Sequence, residues 1–84
     1  MILKAYTVRD SKSEAFMKPF FNTTHGEAER NFRTAVNDPQ STMSKFPEDF
    51  DLYYLGTYDD NTGLLEPRDT PEHMIKAIQC VADQ

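Results

Sequence analysis

The chain has no tryptophan, one cysteine and three glycines among 84 residues. A single thiol, Cys80, excludes an internal disulfide framework and fits a reducing compartment. There is no glycine-rich phosphate loop, no P-loop lysine, no zinc spacing and no serine-nucleophile motif. No apolar run approaches the roughly 20 residues of a membrane span. "MILKAYTV" is too short and too polar for a signal peptide. These absences lead us to expect a soluble cytoplasmic protein that is not an enzyme, needs no cofactor and does not engage a membrane.

What is present bounds the rest. Eighty-four residues make one domain, 1–84, with a modest core. Apolar residues are 38% of the chain, lean enough that a core shared between copies, in a homodimer or higher homo-oligomer, is expected. The net charge of −5 is unevenly spread. Residues 1–45 carry seven basic and five acidic side chains, net +2, whereas residues 46–84 carry two and nine, net −7. Such asymmetry fits a polyanion-facing side and an acidic side that meets protein, and equally fits ordinary solvated surface.

"ILKAYTVRD" reads as a first strand, with Ile2, Tyr6 and Val8 on one face and Leu3, Ala5 and Thr7 on the other. "AFMKPFF" fits a short edge strand, because Pro19 cannot donate to a ladder. Thr24 followed by Glu27 is a capping box that opens a first helix. Ala28, Phe32, Ala35 and Val36 form its apolar stripe, and Asn37–Pro39 ends it. "QSTMSKFPEDF" reads as a loop, with Phe46 and Phe50 anchored in the core. "DLYYLGTY" is apolar on both faces, Leu52, Tyr54 and Tyr58 against Tyr53 and Leu55, so each face needs covering. A short strand "LLE" follows. Thr70 as N-cap and Pro71 at the first helical position then predict a final helix over "DTPEHMIKAIQCVADQ", with Met74, Ile75, Ile78 and Val81 as its stripe. The expected fold is an α+β domain: three to four mostly antiparallel strands with two helices on one face.

"DDNTG" between Asp59 and Gly63 resembles the start of a calcium loop, but its spacing fails. The fifth position is already Gly63 and the twelfth is Thr70, where oxygen ligands are required. Asn and Asp tolerate left-handed backbone, so a hairpin turn is predicted and no metal site. Cys80 with His25 or His73 could form a nucleophilic pair, yet nothing near Cys80 in sequence lowers a thiol pKa. The acidic clusters "PEDFD" and "YDDN" read as solvated loops.

Binding is the better class. Basic and aromatic residues interleave over Lys4–Tyr6–Arg9–Lys12–Phe16–Lys18–Phe20–Phe21, the composition of a groove that tracks phosphates while rings stack on bases. The competing reading places Phe16, Phe20 and Phe21 in the core. The candidate nucleic-acid contacts are Lys4, Arg9, Lys12, Lys18, Arg30 and Arg33. The candidate protein contacts are Tyr53, Asp59 and Asp60.

The segments "YTVRDSKSEAFMKPFF", "GEAERNFRTAVND" and "KFPEDFDLYYLGTYDDNTGLLEP" resemble the small nonstructural protein of gokushovirus-type microviruses, phages with circular single-stranded DNA genomes. The resemblance spans about residues 4–67, and "PEDFDLYYLGTYDDNTG" is its most specific piece. It implies a non-enzymatic role in the host cytoplasm, in viral DNA replication and the switch to packaging single-stranded genomes. The implied partners are single-stranded DNA, the phage replication initiator or a host replication protein. It brings no catalytic residues. A protein-binding adaptor that never touches DNA stays open beside it.

Overall fold

The computed structural model of the chain describes residues 1–82. Five strands make one antiparallel sheet: β1 (Ile2–Asp10), β2 (Ala15–Phe16), β3 (Phe20–Asn22), β4 (Phe50–Asp59) and β5 (Leu64–Lys76). Their order is β2-β1-β4-β5, and β3 also pairs with β1. Between β3 and β4 lie α1 (His25–Val36), a single turn α2 (Thr42–Lys45) and a 3-10 turn over Pro47–Asp49. The expected α+β class holds, with five strands in place of three to four.

The alternation of β1 sends Tyr6 and Val8 toward α1, where they join Ala28, Phe32 and Val36 in the core with Leu52, Tyr54 and Phe50 of β4. Helix α1 starts where the capping pattern predicts. Thr24 Oγ1 accepts from the Glu27 N–H at 3.1 Å. Glu27 returns the bond one residue early, its carboxylate accepting from the Thr23 N–H at 3.0 Å and from Asn22 Nδ2 at 3.1 Å. Those donors, Thr23 first, hold the Glu27 carboxyl below the usual range. At the other end Asn37 ties the C-terminal segment to α1. Its Nδ2 donates to the Cys80 carbonyl at 2.9 Å, and its Oδ1 accepts from the Ala82 N–H.

One bulge rearranges β4. Ala5 pairs with Gly56 and Tyr6 with Tyr54, so Leu55 is an extra residue. Beyond it the side-chain parity inverts. Tyr58 pairs with Leu3 and touches the Phe21 ring at 5.6 Å, which puts it on the face of Tyr53, not that of Leu52 and Tyr54 as the simple alternation predicts. Gly56 is required at this point. Its φ is +144°, and a Cβ would lie 2.2 Å from the Glu66 carbonyl oxygen.

The predicted final helix is not formed. Thr70 and Pro71 lie inside β5, which runs to Lys76, and only a 3-10 turn over Ala77–Cys80 follows. The reason is pairing. The outer edge of β4 needs partners for its backbone, and β5 supplies them at Tyr54–Glu72, Tyr53–His73, Leu52–Ile75 and Asp51–Lys76. Pro67 and Pro71 are tolerated because β5 is an edge strand, interrupted between Pro67 and Glu72 by a wide bulge. Met74 and Ile75 still pack on the core, but Ile78 and Val81 are exposed. Residues 83–84 of that predicted helix lie outside the described residues. The segment read as a loop contains α2, capped by Ser41 accepting from the Met43 N–H at 3.0 Å. Phe50 is buried as expected, whereas Phe46 closes α2 with its ring half exposed.

Candidate nucleic-acid interface

The helices and the core occupy one face of the sheet, and no helix packs on the other among the described residues. Strand register identifies what that open face carries. Thr7 and Arg9 of β1 alternate away from Tyr6 and Val8 and pair with Tyr53 and Asp51 of β4. Thr7 is buried there, its Oγ1 donating to the Met17 carbonyl at 2.7 Å, and Arg9 is half-buried. Phe16 pairs with Arg9 from one side and His73 with Tyr53 from the other. Side chains from four strands therefore converge in one row. Phe16 meets Tyr53 edge-to-face at 5.5 Å, and Tyr53 meets His73 edge-to-face at 5.3 Å. Phe16 is 47% exposed, so the row is a surface and not a core.

Charged groups frame the row. The Arg9 guanidinium lies 5.8 Å from the Phe16 ring centre. His73 Nε2 and Asp51 Oδ2 are 2.8 Å apart. A depression of about 190 Å³ is bounded by Arg9, Tyr53 and Lys76, with Glu48, Asp49 and Asp51 also on its rim. Exposed rings beside two long cations can stack a base and reach its phosphate. The neighbouring carboxylates reduce the attraction for a polyanion without removing the stacking surface.

The six basic candidates are not gathered on this face. Arg9 alone belongs to the row. Lys4 pairs with Asn22 and Thr57 and alternates to the opposite face. Lys12 sits in the turn after β1, its N–H bonded to Asp10 Oδ1 at 3.0 Å. Lys18 lies beside α1 with Asn31 and Phe32, and Arg30 and Arg33 are exposed on that helix. Of the protein-contact candidates, Tyr53 is in the row. Asp59 and Asp60 are at the far hairpin tip, where Asp59 Oδ1 accepts from the Asn61 N–H at 2.9 Å and Asp60 meets the terminal ammonium at 2.7 Å. That local bonding, with Gly63 at φ +76°, makes "DDNTG" a hairpin turn.

His73 and Lys76 were missed because the sequence pattern put them on a helix. The length of β4 was the available signal, since a ten-residue strand flanked by one long partner calls for another. Phe16 and Phe21, which the competing reading put in the core, are both exposed, and only Phe20 packs against it.

Two other places gather chemistry. Behind the sheet, Tyr6 is fully buried and its hydroxyl is 2.7 Å from His25 Nδ1, with Tyr54 against the same imidazole at 4.7 Å. Burial, then the nearby Tyr54 and Glu27, push the Tyr6 hydroxyl up to about 12. Where β5 bulges, Arg68 lies 5.5 Å from the Tyr54 ring centre and pairs with Glu72 at 3.0 Å, at the edge of a depression of about 700 Å³. Cys80 is buried, and burial pushes its thiol up, away from the thiolate a nucleophile needs.

No curated protein sequence and no solved structure matches the chain. A family model described as Phage ORF5 protein matches residues 3–80, which takes in every strand and helix from β1 to the last turn except the first residue of β1. The chain belongs to the Phage ORF5 protein family.

Proposed function

We propose that this phage protein, of the gokushovirus type in its sequence resemblance, is a non-enzymatic factor of the host cytoplasm. It binds single-stranded DNA on the open sheet face and acts in viral DNA replication and the switch to genome packaging. The observation that carries this reading is the Phe16–Tyr53–His73 row with Arg9 against its outer ring. Unpaired bases offer flat faces to such rings, each stack contributing roughly 1–3 kcal/mol, whereas a duplex hides them. Arg9 and Lys76 are placed to reach phosphates. Two phosphate contacts give a modest salt dependence, a slope of about −1.4 in log–log form for a single strand.

The test is fluorescence anisotropy of a labelled oligothymidine at a series of salt concentrations. Single-stranded DNA is expected to bind more tightly than duplex. Tyr53→Ala and Phe16→Ala should each weaken it about 5- to 100-fold, in line with the loss of one stack. Arg9→Ala should flatten the salt slope by about 0.7. Absence of binding at low salt and high micromolar protein, or full binding by both aromatic variants, would sink the reading.

A second reading is favoured by the acidic side of β5. Glu66, Asp69 and Glu72 border the depression at its bulge, and residues 46–84 carry net −7. On that reading the chain is an adaptor for a basic surface on the phage replication initiator or a host protein. Failure of the DNA titration, with retained binding to such a protein, would favour it.

A further inference from the structure

The open face has a second half, beyond the Leu55 bulge, of different character. There Leu3 and Ala5 of β1, Phe21 of β3, Tyr58 of β4 and Leu65 and Pro67 of β5 share one side by register. Phe21 is 43% and Leu65 64% exposed. Between Phe21, Leu55 and Pro67 lies a groove of about 260 Å³, with Leu65 on its rim. We infer that this patch is a self-association surface, on which a second copy of the chain packs face to face.

The occupant follows from charge and shape. Each copy carries −5, so two copies repel through most of their surfaces. The side chains that register places on this patch are uncharged, which makes it the place where that repulsion is least. A nucleic acid would find no cation here, because Arg9 lies at the far end of β1 and Lys4 alternates to the opposite face. Glu66 is the one acidic residue lining the groove among the described residues, and its pairing with Thr57 puts its side chain on the face of Lys4, so a basic protein gains little here. The patch carries both a ridge and a groove. A two-fold axis in the interface plane, perpendicular to the strands, lays the apolar half-face of one copy on that of the other, β5 over β5, the isologous contact of a closed dimer.

Size sets the strength. Four strands about 4.8 Å apart and about five residues of roughly 3.4 Å each give a footprint near 300 Å². With side-chain relief, roughly 1,000 Å² is buried in total, the lower end for a specific interface, so the dimer is weak and exchanges in the micromolar range. The same axis points the two Phe16–Tyr53–His73 rows in opposite directions and leaves both uncovered. The association does not depend on the DNA reading.

Sedimentation velocity between about 1 and 200 μM tests it. The wild-type protein should pass from monomer to dimer across that range. Leu65→Glu and, separately, Phe21→Ser should raise the dissociation constant at least tenfold with unchanged far-ultraviolet dichroism. Leu64→Glu, equally exposed but on the opposite face, should dimerise like wild type, as should Phe16→Ala, which tests the DNA row alone. A wild-type protein that stays monomeric at 200 μM would overturn the inference and leave the patch to another macromolecule. So would folded Leu65→Glu and Phe21→Ser proteins that dimerise normally, or a Leu64→Glu protein that fails to.

Discussion

The hydroxyl of Tyr6, in the middle of β1, and Nδ1 of His25, the first residue of α1, lie 2.7 Å apart and lock the helix start onto the sheet. The phenolic oxygen can donate or accept, so the tautomer of His25 sets the direction of this bond. Tyr6→Phe keeps the ring packing and removes this bond, so we expect a loss of about 1 kcal/mol in urea unfolding at pH 7. The raised Tyr6 value sets a sign as well. The stability it reflects is fully present below the ordinary tyrosine value of 10 and is lost as the pH rises through about 12. A wild-type unfolding midpoint that falls between pH 10 and 12, with a shallower fall in Tyr6→Phe, is the expected pair of curves.

Gly56 carries the bulge that inverts β4. A methyl group there would meet the Glu66 carbonyl oxygen at 2.2 Å and Pro67 Cα at 2.8 Å, all of it backbone that cannot swing aside. Gly56→Ala should therefore cost more than about 3 kcal/mol, well beyond the typical single substitution. Gly63→Ala, with φ +76° but open space around it, should cost only about 1 kcal/mol. Similar losses at the two positions, read from chemical denaturation, would contradict this account of the β4–β5 pairing.

The cap of α1 makes a third comparison. Thr24→Ala removes the acceptor for the Glu27 N–H and should destabilise the protein by ~1 kcal/mol. Glu27 itself is held low in pKa, so its contribution is present above the ordinary glutamate value and fades as the pH falls through its folded value. Glu27→Gln should flatten the acid limb of the stability curve, and an unchanged limb would locate the acid sensitivity elsewhere.

At the hairpin tip, Asp59→Asn with Asp60→Asn keeps acceptors for the turn and deletes two charges. We expect a change within about 0.5 kcal/mol, since the pairing of Asp60 with the terminal ammonium is solvent-exposed. Millimolar calcium should leave the melting temperature of both proteins unchanged. A rise of several degrees in the wild type alone would restore a metal role to "DDNTG".

Local chemistry made part of this protein legible in its sequence. Thr24 and Glu27 sit at the spacing that satisfies free helix N–H groups, and the Ala28–Phe32–Val36 stripe has one geometric consequence, so α1 could be read directly. The Asp59–Gly63 turn could be read for the same reason, because its bonds are made within five residues. The class of the fold followed from these and from the alternation of β1.

Tertiary pairing decided the rest. Thr70–Pro71 is a sound helix start in isolation, yet the unpaired edge of β4 recruits residues 72–76 as strand and places His73 and Lys76 beside Tyr53. Leu55 looks like one more apolar residue in a run, and only its position opposite the Ala5–Tyr6 step makes it a bulge that moves Tyr58 to the open face. Interleaved cations near the N-terminus suggested one groove, but strand parity and helix phase send Lys4, Lys18, Arg30 and Arg33 away from Arg9. A strand has a period of two, so one inserted residue reassigns every side chain beyond it, and that insertion is visible only when the partner strand is in place.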